Sequence, residues 1–391
     1  MEPNAILVRY DEIAIKGHNR INFERQLMKN IGRALQGLEK NISISRDHGR
    51  VMVKGKGVNP FLLQPIFGIT SVSPAYEVER APGPIVQTAV EVAQTQWAKL
   101  LQVSPSVRRF RVTASRSDKR FPLNSMDIER EVGSAILKNL PNLKVDLKSF
   151  DLEIGVEVRP HAGYVFSDRI IGQRGLPVGV NRKLLALISG GIDSPVSAWM
   201  MMKRGCPISF LHFHAPPYTS PAARQKVVEL VTALKPYQGY ATLILVPFAQ
   251  IQEAIKEISP EKFRTLLYRR MMHRIAERLC ETEGAQGIVT GDALGQVSSQ
   301  TVENLLVIGE GLSLPLFQPL IGMDKVEIIE RARSIGTFDL SIQPAADCCT
   351  LFTPKRPAVR ADLSSIHHVE TKLDLNLLIT EAVGNTERVQ L

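Results

Sequence analysis

The sequence predicts an α/β protein: a doubly wound parallel sheet in its back half, preceded by smaller units that mix strands and helices. Three observations carry this. From Leu184 onward, short apolar runs ("LLALI", "PISFLHFHA", "TLILVPF", "AQGIVTG") alternate with helical patterns, as strands covered on both faces by crossover helices do. The first of these runs passes straight into Ser189-Gly190-Gly191-Ile192-Asp193-Ser194 and then a helix, the arrangement that receives ligands at the carboxyl edge of such sheets. At 391 residues the chain also exceeds one ordinary domain.

The elements follow in order. "AILVRYDEIAI" is β-rich, and "NRINFERQLMKNIGRALQGL" repeats apolar residues at helical spacing. "ISISRDHGRVMVKG" reads as a hairpin turning at Asp47-His48-Gly49. Strand, helix and hairpin in under 60 residues make a small α+β unit. Asn59-Pro60 marks a change of register. A short helix and a strand follow, then the helix "IVQTAVEVAQTQWAKLL", the arginine-rich strand "VRRFRVTASRSDKRFP", a helix capped at Asn124 or Ser125, and closing strands up to about residue 168. "GQRGLPVGVNR" is a glycine-rich connector, and after residue 370 the periodicity fades into a final helix or tail.

Composition bounds the rest. Hydrophobic content of 44% and charged content of 22% are those of a soluble globular chain. No run approaches a membrane span and the N-terminus reads as no signal peptide, so a cytoplasmic protein is expected. The net charge of +9 is lopsided: residues 1–180 hold 26 Lys and Arg against 18 Asp and Glu, the remainder 22 against 21. A basic front and a neutral back suggest that one part grips a polyanion while the other does chemistry. The four cysteines, Cys206, Cys280, Cys348 and Cys349, show no C-x-x-C spacing. Neither a zinc site nor an iron–sulfur cluster is therefore expected.

At the turn, Ser189, Gly190 and Gly191 let backbone N–H groups close on a phosphate, and Ser194 adds a hydroxyl. There is no G-x-x-x-x-G-K-[ST], hence no lysine placed for β/γ transfer. Asp193 beside an anion site makes sense if it holds Mg²⁺ or positions another group. The stretch "SGGIDSPVSAW" resembles the PP-loop of the N-type ATP pyrophosphatases, which cleave ATP between the α and β phosphates and adenylate a substrate. The resemblance implies that Ser189, Gly190, Gly191, Asp193 and Ser194 hold pyrophosphate with its Mg²⁺, through Asp193, and that no resident metal is needed beyond it.

Three further stretches resemble the tRNA 4-thiouridine synthetases within that class. In "LHFHAPPYTS" the resemblance carries His212 and Phe213, with Leu187 and Ile188, as adenosine contacts; a purely structural histidine is the other reading of His212 and His214. In "YRRMMHRIAERLCETEGAQGIVTGDALGQVSSQT" it assigns Arg269, Gly291 and Gln300 to the nucleotide, with Arg269 able to fork onto phosphate. In "LIGMDKVEIIERARSIGTFDLSIQPAADCCTLFTPKRP" it makes Lys325 catalytic, offsetting charge on the α-phosphate, and places the sulfur-carrying cysteine at Cys348 or Cys349. Matching the family's aromatic-Cys ending favours Cys349, and counting forward from Lys325 favours Cys348; Cys349 is preferred.

By the same resemblance, residues 1–58 are a ferredoxin-like domain, 59–168 an RNA-binding THUMP domain, 169–183 a linker, 184–375 the PP-loop domain and 376–391 a C-terminal tail. Arg108, Arg109, Arg111, Arg116, Lys119 and Arg120 form a basic stripe fitted to RNA phosphates; a solubilising edge strand is its bland reading. The implied chemistry is ATP- and Mg²⁺-dependent conversion of a tRNA uridine, at position 8 in the family, to 4-thiouridine, with a family link to thiamine thiazole synthesis. About 40 residues follow Cys349, too few for the rhodanese-like domain of some members. Sulfur is then expected directly from a cysteine desulfurase, and a homodimer is expected. An ammonia ligase or an RNA-binding protein with a relic nucleotide site are the rivals.

Overall fold

The structure is a computed structural model that describes residues 2–391 except 39–40, 48, 105, 107, 345–351 and 353. It divides into two units, Met1–Gly175 and Leu176–Leu391.

The first unit is built on one nine-stranded sheet. Strands β1 (Ala5–Arg9), β2 (Ser43–Asp47), β3 (Arg50–Lys54) and β4 (Ser71–Val78) precede β5 (Arg109–Arg116), β6 (Lys144–Val145), β7 (Leu152–Val158), β8 (Gly163–Phe166) and β9 (Ile170–Ile171). Their order is β2-β3-β1-β4-β8-β7-β5-β6, with β9 beside β4. The predicted hairpin is β2–β3, closing at the pair Asp47–Arg50. Helix α1 (Arg20–Ala34) buries Leu27 and Ile31 against Ile6, Val8, Val51 and Val53. Helices α2 (Pro82–Val103) and α3 (Ser125–Asn139) cover β5 and β7, packing Ile85, Ala89, Val132 and Ile136 against Phe110, Ile154 and Val156. Asn124 caps α3 in a reciprocal box with Asp127.

Two expectations are revised here. The boundary at 58/59 does not divide the sheet, because β4 is hydrogen-bonded to β1 on one side and to β8 on the other. The expected linker contributes β9, whose Ile170 and Ile171 pair with Val72 and Ser71.

The second unit is the predicted doubly wound sheet. Its strands are β10 (Leu184–Leu187), β11 (Ile208–His214), β12 (Thr242–Pro247), β13 (Ile288–Val289), β14 (Leu316–Phe317) and β15 (Glu387–Gln390), in the order β14-β13-β10-β11-β12-β15. All are parallel but β15, which runs antiparallel beside β12. Helices α4 (Asp193–Lys203), α5 (Pro221–Leu234), α6 (Ala249–Ile258), α7 (Arg264–Glu283), α8 (Val302–Gly309), α9 (Lys325–Ser334), α10 (Phe338–Ser341), α11 (Leu363–Glu370) and α12 (Leu375–Gly384) surround it. In place of the expected tail, residues 376–391 supply most of α12 and all of β15. β15 has one neighbour and an exposed face, so its residues carry little of the apolar alternation that marks a strand in sequence. No helix among the described residues is long and apolar enough to cross a membrane.

The chain winds outward from β10 to β11 and β12, then returns to lay β13 and β14 on the other side of β10. The winding reverses between β10 and β13, where the carboxyl ends of parallel strands leave a crevice for a ligand.

Candidate active site

The crevice is formed by the segments that leave those two strands at their carboxyl ends. After β10 come Ile188 and the Ser189–Ile192 turn, and α4 begins at Asp193. The turn is tied to the helix by Ser194, whose Oγ accepts the Ser189 N–H at 2.9 Å, while Ser189 Oγ accepts the Gly191 N–H at 3.2 Å. After β13 come Thr290, Gly291 and Asp292. Gly291 lies against the start of α4: a Cβ there would stand 2.8 Å from Ser194 N and 3.0 Å from the Asp193 carbonyl carbon. Ser197 Oγ donates to the Thr290 carbonyl at 2.6 Å and fastens the same approach. Glycine at 291 is thus required by backbone meeting backbone.

Between them opens a cavity of about 280 Å³, near the lower end of small-molecule sites, roughly 300–1,000 Å³. Leu187, Ile188, Ser189, Asp193, Ser194, His212, Phe213, Arg269, Gly291 and Gln300 all line it. Gly190 and Gly191 belong to the turn at its end. The His212 ring is buried and its Nδ1 lies 2.9 Å from the Ile188 carbonyl. A carbonyl only accepts, so Nδ1 carries the proton. Phe213 is held edge-on by Phe248, centroids 5.1 Å apart. His214 does not line the cavity.

Asp292 organises the opposite wall, and sequence reasoning missed it. Its carboxylate accepts from Arg269 Nη2 at 2.5 and 2.6 Å, Thr290 Oγ1 at 2.7 Å, and the side-chain amides of Gln300 and Gln318 at 3.1 Å each. Burial alone would raise its pKa, but the Arg269 charge and the Thr290 hydroxyl outweigh it and hold the group at about 2. Of the Arg269 guanidinium, expected on phosphate, Nη2 is engaged by both Asp292 oxygens, while among the described residues Nη1 reaches only Ser299, at 3.5 Å. Only the strand-end position within "TGDALG" could have flagged this aspartate. Gln300 gives its amide N–H to Asp292, while its Oε1 is buried without a hydrogen-bond partner among the described residues. It is an acceptor kept in reserve on the cavity wall.

At the mouth, Lys325 Nζ meets Asp193 Oδ1 at 2.6 Å, and Gln296 donates to Oδ2 at 2.9 Å. The lysine opens α9 behind a capping box of Asp324 and Glu327, and the aspartate opens α4. Asp193, expected to meet Mg²⁺, and Lys325, expected to be catalytic, are thus brought together from distant stretches. Among the described residues no cluster of three or more His, Cys, Asp or Glu could hold a metal. A lone carboxylate beside a phosphate cradle suits a cation that keeps its waters and phosphate oxygens as remaining ligands.

Cys348 and Cys349 lie outside the described residues. The other two cysteines are buried, and burial pushes the Cys280 thiol up to about 11 and raises that of Cys206. Neither forms a thiolate near neutral pH.

The predicted RNA stripe is carried by β5 in the first unit and is already partly compensated. Arg109 pairs with Asp151, Arg111 with Glu153 and Arg120 with Asp118. Arg111 also stacks on Phe150 at 3.7 Å, and Arg116 donates to the Lys119 and Phe121 carbonyls. Lys119 is exposed, and Arg108 donates its backbone N–H to Asp151.

A strand-end phosphate cradle, a cavity at the winding reversal and a lysine held outside the loop define a PP-loop type of nucleotide-binding protein. The chain belongs to the ThiI family. The profile "Thiamine biosynthesis protein (ThiI)" matches residues 179–375, the "ThiI ferredoxin-like domain" residues 5–73 and the "THUMP domain" residues 84–168. The chain is 42% identical to a probable tRNA sulfurtransferase of Brevibacillus brevis, over 99% of this chain and 96% of that one. It is also 42% identical to one of Thermoanaerobacter pseudethanolicus, over 96% and 97%. A crystal structure of a 4-thiouridine synthetase–RNA complex with bound ATP superimposes over the whole of both chains, with a TM-score of 0.91 and 36% identity.

Proposed function

We propose that this protein is an ATP-dependent tRNA sulfurtransferase that makes 4-thiouridine. The observation that carries the reading is the Lys325–Asp193 pair at the mouth of the nucleotide cavity, on a phosphate loop that has no lysine of its own. Such a loop serves release of pyrophosphate better than γ-phosphoryl transfer. ATP lies with its base among Leu187, Ile188, His212 and Phe213 and its phosphates on Ser189–Ser194. Asp193 would hold the Mg²⁺ that comes with the nucleotide, which would offset phosphate charge there. Lys325 stabilises the negative charge that develops as the uridine O4 displaces pyrophosphate. The terminal sulfur of a persulfide on Cys349 then attacks C4 and AMP leaves with the oxygen; an external thiol attacks Cys349 Sγ, breaking the S–S bond, so that sulfur stays on C4 and the thiol ends as a disulfide with Cys349.

The finer parts of the reading follow the family pattern: uridine 8 of tRNA as target, a cysteine desulfurase as donor, tRNA held by the basic stripe, a homodimer and a cytoplasmic location. One assay tests the core. Unmodified tRNA, ATP, Mg²⁺ and either sulfide or a desulfurase with cysteine are incubated with the protein, and 4-thiouridine is read by its near-ultraviolet absorbance. Thionucleoside that requires ATP is expected. None with sulfide, despite normal ATP binding, would overturn the thiolation reading.

A further inference from the structure

Helix α5 buries one side chain that its pattern does not predict. Ala223, Val227, Leu230, Val231 and Leu234 form its buried face, and Lys226 lies among them at 7% exposure. Lysines are seldom buried unless paired. Among the described residues the Lys226 ammonium makes one hydrogen bond, 2.8 Å to the main-chain carbonyl of Gln343, and no ion pair. A neutral carbonyl is a poor counterpart for a buried charge, so packing of α5 does not account for a lysine here.

Gln343 stands five residues before Cys348 and six before Cys349, a span that a fully extended chain covers in roughly 20 Å. Just before it, Ser341 Oγ donates to the Gly191 carbonyl at 3.2 Å, inside the phosphate turn. Two side-chain hydrogen bonds therefore fix the backbone that enters the cysteine segment, one from Lys226 on α5 to Gln343 and the other from Ser341 to the nucleotide loop. On the exit side the Phe352 ring packs edge-on against Tyr218, centroids 5.4 Å apart, and carries the Lys256 ammonium 4.2 Å above it.

We infer that Lys226 is a positioning residue for sulfur transfer, tying the backbone that leads toward Cys348 and Cys349 to α5 just after Ser341 ties it to the nucleotide turn. The inference rests on the thiolation reading above. Nucleotide binding and pyrophosphate release use the turn, Asp193 and Lys325 and do not need this tether, so the two halves of the reaction come apart in the test.

The full chain carrying Lys226→Met is compared with wild type and Lys226→Arg. With a desulfurase as donor, Lys226→Met is expected to lower kcat for 4-thiouridine by at least about tenfold, with KM for ATP and tRNA within roughly twofold. Pyrophosphate release and sulfide-driven thiolation, which need no cysteine carrier, stay near wild type, and Lys226→Arg recovers most of the loss. Where Lys226→Met does not fold, Lys226→Ala, which also removes the donor to Gln343, carries the same comparison. Unchanged desulfurase-driven kcat overturns the inference. So does a parallel fall of pyrophosphate release and of both thiolation rates, which marks a merely structural lysine. A wild-type chain that makes no 4-thiouridine with either donor overturns the thiolation reading, and this inference with it.

Discussion

Lys325 and Asp193, the first residues of two helices 132 positions apart in the chain, are joined by a 2.6 Å ion pair. Their side chains are 42% and 22% exposed. A pair so open to water contributes about 0–1 kcal/mol, and the lysine stands at the unfavourable positive end of its own helix. The contact is easily exchanged for a phosphate. Arg269 and Asp292, 16% and 3% exposed, are the opposite case: a more deeply buried pair in which Nη2 meets both carboxylate oxygens. The site thus joins one exchangeable charge pair to one buried one.

Lys325→Ala is expected to slow ATP-dependent adenylation by about 10²–10³-fold, the usual cost of losing one donor to a developing oxyanion. ATP affinity changes little, because the lysine is engaged elsewhere at rest. Single-turnover pyrophosphate release checks the rate, and calorimetric titration checks the affinity. With its competitor removed, Asp193 also saturates at lower Mg²⁺.

Gly291→Ala forces a Cβ to within 2.8 Å of Ser194 N. Main chain cannot turn aside, so the start of α4 is displaced, at an overpacking cost of about 1–3 kcal/mol. Thermal unfolding reads that cost, and ATP binding is expected to weaken at least tenfold because the cradle moves with the helix.

Asp292→Asn leaves Arg269 half-buried without a counter-charge and is expected to cost about 3–5 kcal/mol. In the wild type the Asp292 carboxyl is held at about 2, below its ordinary value near 3.8. A lowered folded-state pKa stabilises above the unfolded value, so this contribution is complete above about pH 4–5 and is lost as pH falls toward 2. It amounts to roughly 2 kcal/mol. Urea unfolding between pH 6 and 2 is expected to show a shallower acid slope in Asp292→Asn than in wild type.

Removing a carboxylate is expected to tighten RNA binding more than removing any one arginine weakens it. Asp118 engages both Arg80 and Arg120, so Asp118→Asn frees two guanidinium groups at once. Filter binding of tRNA across a salt series is expected to steepen by about one charge in the logarithmic slope. Arg109→Ala or Arg111→Ala, each relieving a carboxylate of its partner, shifts the slope by less.

On the proposed mechanism, which makes Cys349 the sulfur carrier, Cys349→Ser is expected to abolish desulfurase-driven thiolation, at least 10²-fold, with pyrophosphate release intact. Cys348→Ser keeps most activity. The reverse pattern would move the carrier to Cys348.

Much of the second unit was legible because its strands are buried on both faces and read as unbroken apolar runs, with a glycine turn marking the reversal after β10. The cavity-lining residues were legible as motif words, though their partners were not. Hydrogen bonds such as Gln300 to Asp292 and Ser341 to Gly191 span 8 and 150 positions, and side-chain chemistry alone does not say which donor meets which acceptor. Asp292 was overlooked for that reason, and with it the carboxylate that Arg269 Nη2 meets on the cavity wall. Lys226 was invisible for another: a lysine in an amphipathic helix is read as solvent-facing unless the fold turns it inward. In the first unit the error was one of boundaries, since a change of register at Asn59-Pro60 looks the same whether a domain or a single strand comes next.

Strand β4 lies just where the two front-half profiles leave off, residues 5–73 on one side and 84–168 on the other. Because β4 is zipped to β1 and β8 at once, a fragment cut at either profile's end would carry a raw, ribbon-like margin of unpaired amides and would tend to stack on its own kind. The piece that can be transplanted, inherited or fused as a whole is therefore residues 1–175, a single cassette that two profile names describe as if it were two.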